Sequence, residues 1–160
     1  MTPVLLLEDY FLTRLHIDWD FPATSPVIEV KETRCLFDYE VANHAKDPRR
    51  RMLKFRVAVQ EIGANQQKVG HRLQCEVVGL FSFTDATPKG KEELIIRVNG
   101  INMLYGALRG LLTAATGAFP GGRFALPSIM PQEIVNDVEK RRAELRARKQ
   151  KLPEAAATKP

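Results

Sequence analysis

Three histidines, two cysteines and a scatter of carboxylates are the residues of this chain whose chemistry could be catalytic or metal-binding. His16, His44 and His71 lie far apart, and none stands at a ligand spacing from another histidine or from Cys35 or Cys75, so the pattern contains no zinc signature and predicts no metal. Cys35 and Cys75 fall on the inward phase of two apolar alternations. A thiol there behaves as a small hydrophobe, and nothing near it in sequence would lower its pKa. Glu8, Asp9, Asp18 and Asp20 could supply an acid–base pair, but their spacing sets no geometry for one. Gly117, Gly121 and Gly122 do not make a phosphate-binding G-x-x-x-x-G-K-[ST] run. No constellation asks for an enzyme.

Charge supplies a second candidate chemistry. Lys and Arg number 24 against 19 Asp and Glu, a formal net charge of +5. The surplus gathers in two knots, one of Lys46, Arg49, Arg50, Arg51 and Lys54 and one running from Lys140 to Lys151. Such knots can hold nucleic acid. Neither is interleaved with aromatic residues or set in a nucleic-acid-binding motif, and solvated faces explain both. Two cysteines make no disulfide framework and fit a reducing compartment. The sequence shows no secretory leader and no uncharged run long enough for a membrane span. These features together predict a cytoplasmic protein.

The 160 residues suit one domain with a sizeable core. Residues 4–15 and 27–42 read as the first two strands, with a phase slip near Thr33–Arg34. Residues 51–62 alternate cleanly, Leu53, Phe55, Val57 and Val59 against Lys54, Arg56, Ala58 and Gln60. Residues 69–83 match them with Leu73, Cys75, Val77, Phe81 and Phe83. Gly79 interrupts that face and predicts a close approach by a neighbouring backbone. Trp19, the single tryptophan, reads as a plug over one end of the core. A helical region opens near Glu92 and runs to about residue 116, with a possible break at Asn99-Gly100. Ile101, Leu104, Tyr105, Leu108, Leu111 and Leu112 form its apolar stripe. Gly106 and Gly110, four apart, leave a flat strip for another backbone. A charged helix follows from Pro131 to about Gln150. Strands followed by helices give an α+β fold with a four-stranded antiparallel sheet. The apolar groups outnumber what one sheet and one helix can cover, which predicts self-association or an apolar partner.

Several short motifs in series resemble the SecB family of export chaperones and their SecB-like relatives. They are LQCEVVGLFSF from Leu73 to Phe83, NMLYGALRGLLT from Asn102, AFP at Ala118–Pro120 and FALP at Phe124–Pro127, with Leu7–Asp9 and Glu29–Lys31 as minor pieces. The resemblance covers roughly residues 5–131 and implies a SecB-like chaperone domain over 1–131, a charged C-terminal helix over 132–150 and a disordered tail over 151–160. It implies a dimer of dimers, a homotetramer with helices sandwiched between sheets, and no cofactor or catalytic residue. The implied function is an ATP-independent holdase for unfolded polypeptides, serving export or stabilising an antitoxin of a toxin–antitoxin module.

On this resemblance the expected client-binding positions are Phe11, Phe37, Phe81, Phe83, Tyr105, Leu108, Phe119 and Phe124. The expected oligomer interface comprises Cys75, Val77, Gly106 and Gly110. Asp9 and Glu76 match residues that dock the translocase motor SecA. The chain departs from the export chaperones in being basic, in having Thr13 four places after Asp9, in carrying Gly106 where the family has proline, and in its basic last helix. Those departures bear on SecA docking more than on fold. The alternative function is a basic nucleic-acid-binding adaptor without catalysis, using Arg49–Arg51 and the last helix.

Overall fold

A computed structural model describes residues 2–21, 28–119 and 121–156, with side chains up to residue 148. Four strands, β1 (Leu5–Asp20), β2 (Glu32–Asn43), β3 (Arg50–Ile62) and β4 (Lys68–Phe83), form one antiparallel sheet in the order β1-β4-β3-β2. The helices follow: α1 (Glu92–Ile95), α2 (Ile101–Ala115) and α3 (Pro131–Ala156). Between α1 and α2 the break expected at Asn99-Gly100 is a π-helical turn, Ile96–Gly100.

Alternation in β3 works as expected, and Leu53, Phe55, Val57 and Val59 are all buried beneath the helices. Leu73, Cys75, Val77, Phe81 and Phe83 lie opposite them from β4. Gly79 leaves room for side chains rather than a backbone: a Cβ there would sit 2.6 Å from the Phe81 ring and 2.9 Å from Leu104. From α2 come Ile101, Leu104, Tyr105, Leu108 and Leu112, and Ile134, Val135 and Val138 of α3 join the same core.

β1 is longer than its turn-forming residues suggest. Asp18 stays in the strand because it faces Arg72 across the β1–β4 pair, with Arg72 Nη2 2.5 Å from its carboxylate. That contact holds the Asp18 carboxyl below its usual range. The irregularity expected in the second strand lies instead in β1, where Glu8 and Thr13 are unpaired extra residues at two register shifts. Ile28 and Val30 precede β2, which explains the apparent slip in phase.

The two edges of the sheet differ. His44 N–H donates to Arg50 O, so even-numbered residues of β2 turn their backbone groups to β3 and odd-numbered ones turn them outward. α3 meets that outward side. Arg141 donates to Phe37 O and Arg142 to Tyr39 O, while Arg142 also reaches Asp38 at 2.8 Å and stacks over the Tyr39 ring. Tyr39 O–H donates to Glu139 at 2.6 Å, and burial, helped by that carboxylate, pushes its pKa up to about 12. Beyond β1 no strand follows among the described residues.

Candidate functional site

A cleft of about 610 Å³ opens at the far end of β1 and β4, lined by Trp19, Phe21, Ile28, Val30, Thr33, Glu61, His71, Gly121, Arg123, Phe124 and Ala125. One wall is made by Phe21, Ile28 and Val30, another by Gly121 and Arg123–Ala125 between α2 and α3, and the floor is β3 and β4. The α2–α3 segment is fixed by two staples. Buried Thr116 donates to Leu112 O at 2.7 Å and accepts the Phe124 N–H at 2.8 Å. Tyr105 donates its hydroxyl to Pro127 O.

Trp19 faces His71 across the strand pair, its indole edge-on to the imidazole with ring centres 4.6 Å apart. Its ring packs so closely on Gly121 that a Cβ there would lie 1.8 Å away. Phe119 and Phe124 approach the imidazole from the other side, at 6.2 and 5.4 Å between ring centres. His71 is 3% exposed. Glu61 Oε2 accepts its backbone N–H at 2.6 Å and lies 3.1 Å from Nδ1. Gly70 makes this possible, because its φ of +66° suits glycine and a Cβ would stand 2.2 Å from that same oxygen.

Of the expected client positions, this cleft takes Phe124, with Phe119 beside it. The others lie elsewhere. Phe37, Phe81, Phe83, Tyr105 and Leu108 are closed into the core beneath α2, at 0–7% exposure. Phe37 and Tyr105 pack around Phe55 there, so in the folded protomer they are out of reach of a client. Phe11 is exposed on the opposite face of the sheet, paired with Val78. Sequence reasoning missed Phe21, Ile28, Val30 and His71 as cleft residues. The signal was present, since Glu61 continues the inward phase of Val59 and His71 that of Leu73, two ionisable groups aimed at an apolar interior.

The expected interface residues divide in the same way. Cys75 and Val77 are buried at 3% and 2% under the protomer's own helices, where no partner chain can touch them without opening the core. Burial also pushes the Cys75 thiol up to about 11, opposite to what a nucleophile needs. Gly106 and Gly110 are exposed on α2, and a Cβ on either would meet nothing within 4 Å.

Glu76 points to the outer face, away from Cys75, as alternation requires. There it accepts from Thr13 Oγ1 at 2.6 Å and from Arg56 Nε at 2.8 Å. Arg56 also spans Asp38 and Glu40, each at 2.8 Å, so one guanidinium balances three carboxylates. These contacts hold Glu76 below its usual pKa, the Thr13 hydroxyl first and Arg56 second. A depressed folded-state pKa adds stability above the unfolded value, and this is lost as pH falls through the folded one. The stability difference between wild type and Glu76→Gln, read from thermal melts, is therefore expected to be largest near neutral pH, about 1 kcal/mol for a partly exposed pair, and to shrink as pH falls below the ordinary glutamate range. A pH-independent difference would exclude this pairing.

The first basic knot is largely engaged. Arg49 pairs with Asp85 at 2.8 Å, Arg50 lies 3.5 Å from Glu8, and Arg51 stacks on Phe83. Asp9 lies opposite Leu80 and accepts the Tyr10 N–H at 2.8 Å. Among the described residues no helix is long and apolar enough to cross a membrane.

No family model matches the sequence, and no curated protein is significantly similar to it. Among solved structures, the chain is similar to the Mycobacterium tuberculosis SecB-like chaperone Rv1957, solved in complex with a ChAD peptide from the Rv1956 HigA1 antitoxin. The TM-score is 0.54 at 18% identity, over 78% of this chain and 90% of that one. A Streptococcus agalactiae protein of unknown function aligns with a TM-score of 0.46 and 11% identity, over 78% of this chain and 97% of the other. An antiparallel sheet in the order β1-β4-β3-β2, followed by helices on one face, is thus the SecB-like fold.

Proposed function

We propose that this chain is a non-catalytic, ATP-independent holdase that binds non-native polypeptide in the cleft around Trp19. The cleft itself carries the reading. Its aromatic and aliphatic walls come from Trp19, Phe21, Ile28, Val30 and Phe124, and apolar contact with such walls is non-directional enough to accept varied clients. A cytoplasmic antitoxin-type client fits better than SecA-coupled export. The carboxylate of Glu76 is taken up by Arg56 and Thr13, and the similar SecB-like chaperone structure holds a peptide from an antitoxin. Residues 1–131 are read as the client-binding unit and α3 as a charged helix closing one sheet edge; the tail expected over 151–160 is helical through Ala156, and its last four residues lie outside the described residues.

The assembly proposed is a dimer of dimers meeting through the bare face of α2, with Gly106 and Gly110 at the contact. Phe119 keeps its proposed client role, and Phe124, as buried as Phe37 and Phe83, backs the cleft from the core; Phe11 lies on the other face of the sheet and would need a separate client contact. The test is suppression of aggregation of a chemically denatured client, followed by light scattering without nucleotide. The expected result is suppression by wild type at a few-fold excess and a large loss in Trp19→Ala. Full aggregation in the presence of wild-type protein would overturn the reading.

A further inference from the structure

Two buried polar atoms among the described residues have no hydrogen-bond partner, Nε1 of Trp19 and Nε2 of His71. Both residues line the cleft. Buried polar atoms are normally satisfied, and leaving one unpaired is unfavourable. In the neutral imidazole the Glu61 carboxylate beside Nδ1 holds the proton there, which leaves Nε2 with a lone pair to accept a hydrogen bond. The indole N–H can only donate. One acceptor and one donor, set beside Phe21, Ile28, Val30 and Phe124 in a cleft that Thr33, Glu61 and Arg123 also line, suit an occupant with apolar side chains and a free backbone donor and acceptor.

We propose that His71 and Trp19 read the backbone of a single residue of the bound peptide, whose N–H and C=O point to the same side when the chain is extended, His71 Nε2 accepting the N–H and Trp19 Nε1 donating to the carbonyl. The inference rests on the client-binding reading of this cleft and names what the cleft selects. The client class is then an extended apolar segment carrying a backbone N–H and C=O that are not engaged in its own secondary structure, which is what separates an unfolded chain from a folded one. Trp19 covers the imidazole and contacts Gly121, so an occupant must shift the indole to reach His71. As the only tryptophan of the chain, it reports its own displacement.

The test uses the full chain and a short tryptophan-free peptide of leucine, phenylalanine and serine, titrated against Trp19 fluorescence. The same peptide is then N-methylated one residue at a time. One position is expected to weaken binding about tenfold, the scale of one buried hydrogen bond lost. His71→Asn keeps a donor toward Glu61 and removes the acceptor, so it should bind the parent peptide about tenfold more weakly and ignore the methyl group. A flat methylation scan with His71→Asn binding as well as wild type overturns the backbone assignment and leaves the holdase reading standing. If His71→Asn does not fold, the scan on wild type decides alone. No fluorescence response to the peptide overturns the proposal, and the aggregation assay then tells whether the client reading falls with it.

Discussion

Phe81→Ala is expected to destabilise the fold severely rather than to weaken a client contact. Phe81 is fully buried between β4 and the helices, touching the space over Gly79 and facing the π-helical turn around Gly100. Removing a buried phenylalanine side chain costs about 3–5 kcal/mol, since close packing around it cannot collapse into the void. Small domains are stable by about 5–15 kcal/mol, so the substitution consumes much of the total. Chemical denaturation should show the midpoint falling steeply for Phe81→Ala and hardly moving for Phe11→Ala, whose ring is 46% exposed. Equal midpoints for the two variants would mean that Phe81 does not sit in the core.

Gly110→Gln is expected to do the reverse, dissociating the assembly while leaving the protomer as stable as before or more so. A Cβ at position 110 meets nothing in the protomer, and replacing glycine inside a helix gains about 0.5–1 kcal/mol in propensity. The bare strip along α2 is formed by Gly106, Gly110, Ala114 and Gly117, all exposed. A second copy can approach that strip closely only while it stays bare. Sedimentation should show the wild type as a tetramer and the variant as a smaller species, with its thermal midpoint unchanged or raised. A variant of wild-type mass would remove Gly110 from the interface.

The same comparison explains what was legible in the sequence. β3 could be read residue by residue because a strand with one buried and one wet face must alternate, and nothing in it breaks phase. β1 could not, because Glu8 and Thr13 each insert one unpaired residue and turn the following side chains to the other face. Aromatic residues of core and cleft look alike in sequence. What separates Phe81 from Phe124 is the layer above each, and that layer is placed by Thr116 and Tyr105 gripping the α2–α3 segment. The His71–Glu61 pair hid differently. Each residue obeys its strand's alternation, but their contact depends on the left-handed turn at Gly70 and the register shift between Gln60 and Ile62.

The guanidinium groups of Arg141 and Arg142 on the outward carbonyls of β2 limit the valence of the sheet. Backbone groups on an open edge are a template on which strands can add without end. Here the middle of one edge, at Phe37 and Tyr39, is occupied by α3, and the other, along β1, is open among the described residues. A body with a single open edge can pair once, edge to edge with its copy, and then has nothing left to offer. Growth by strand addition therefore stops at two copies, and the sheet is kept from becoming the seed of a fibre.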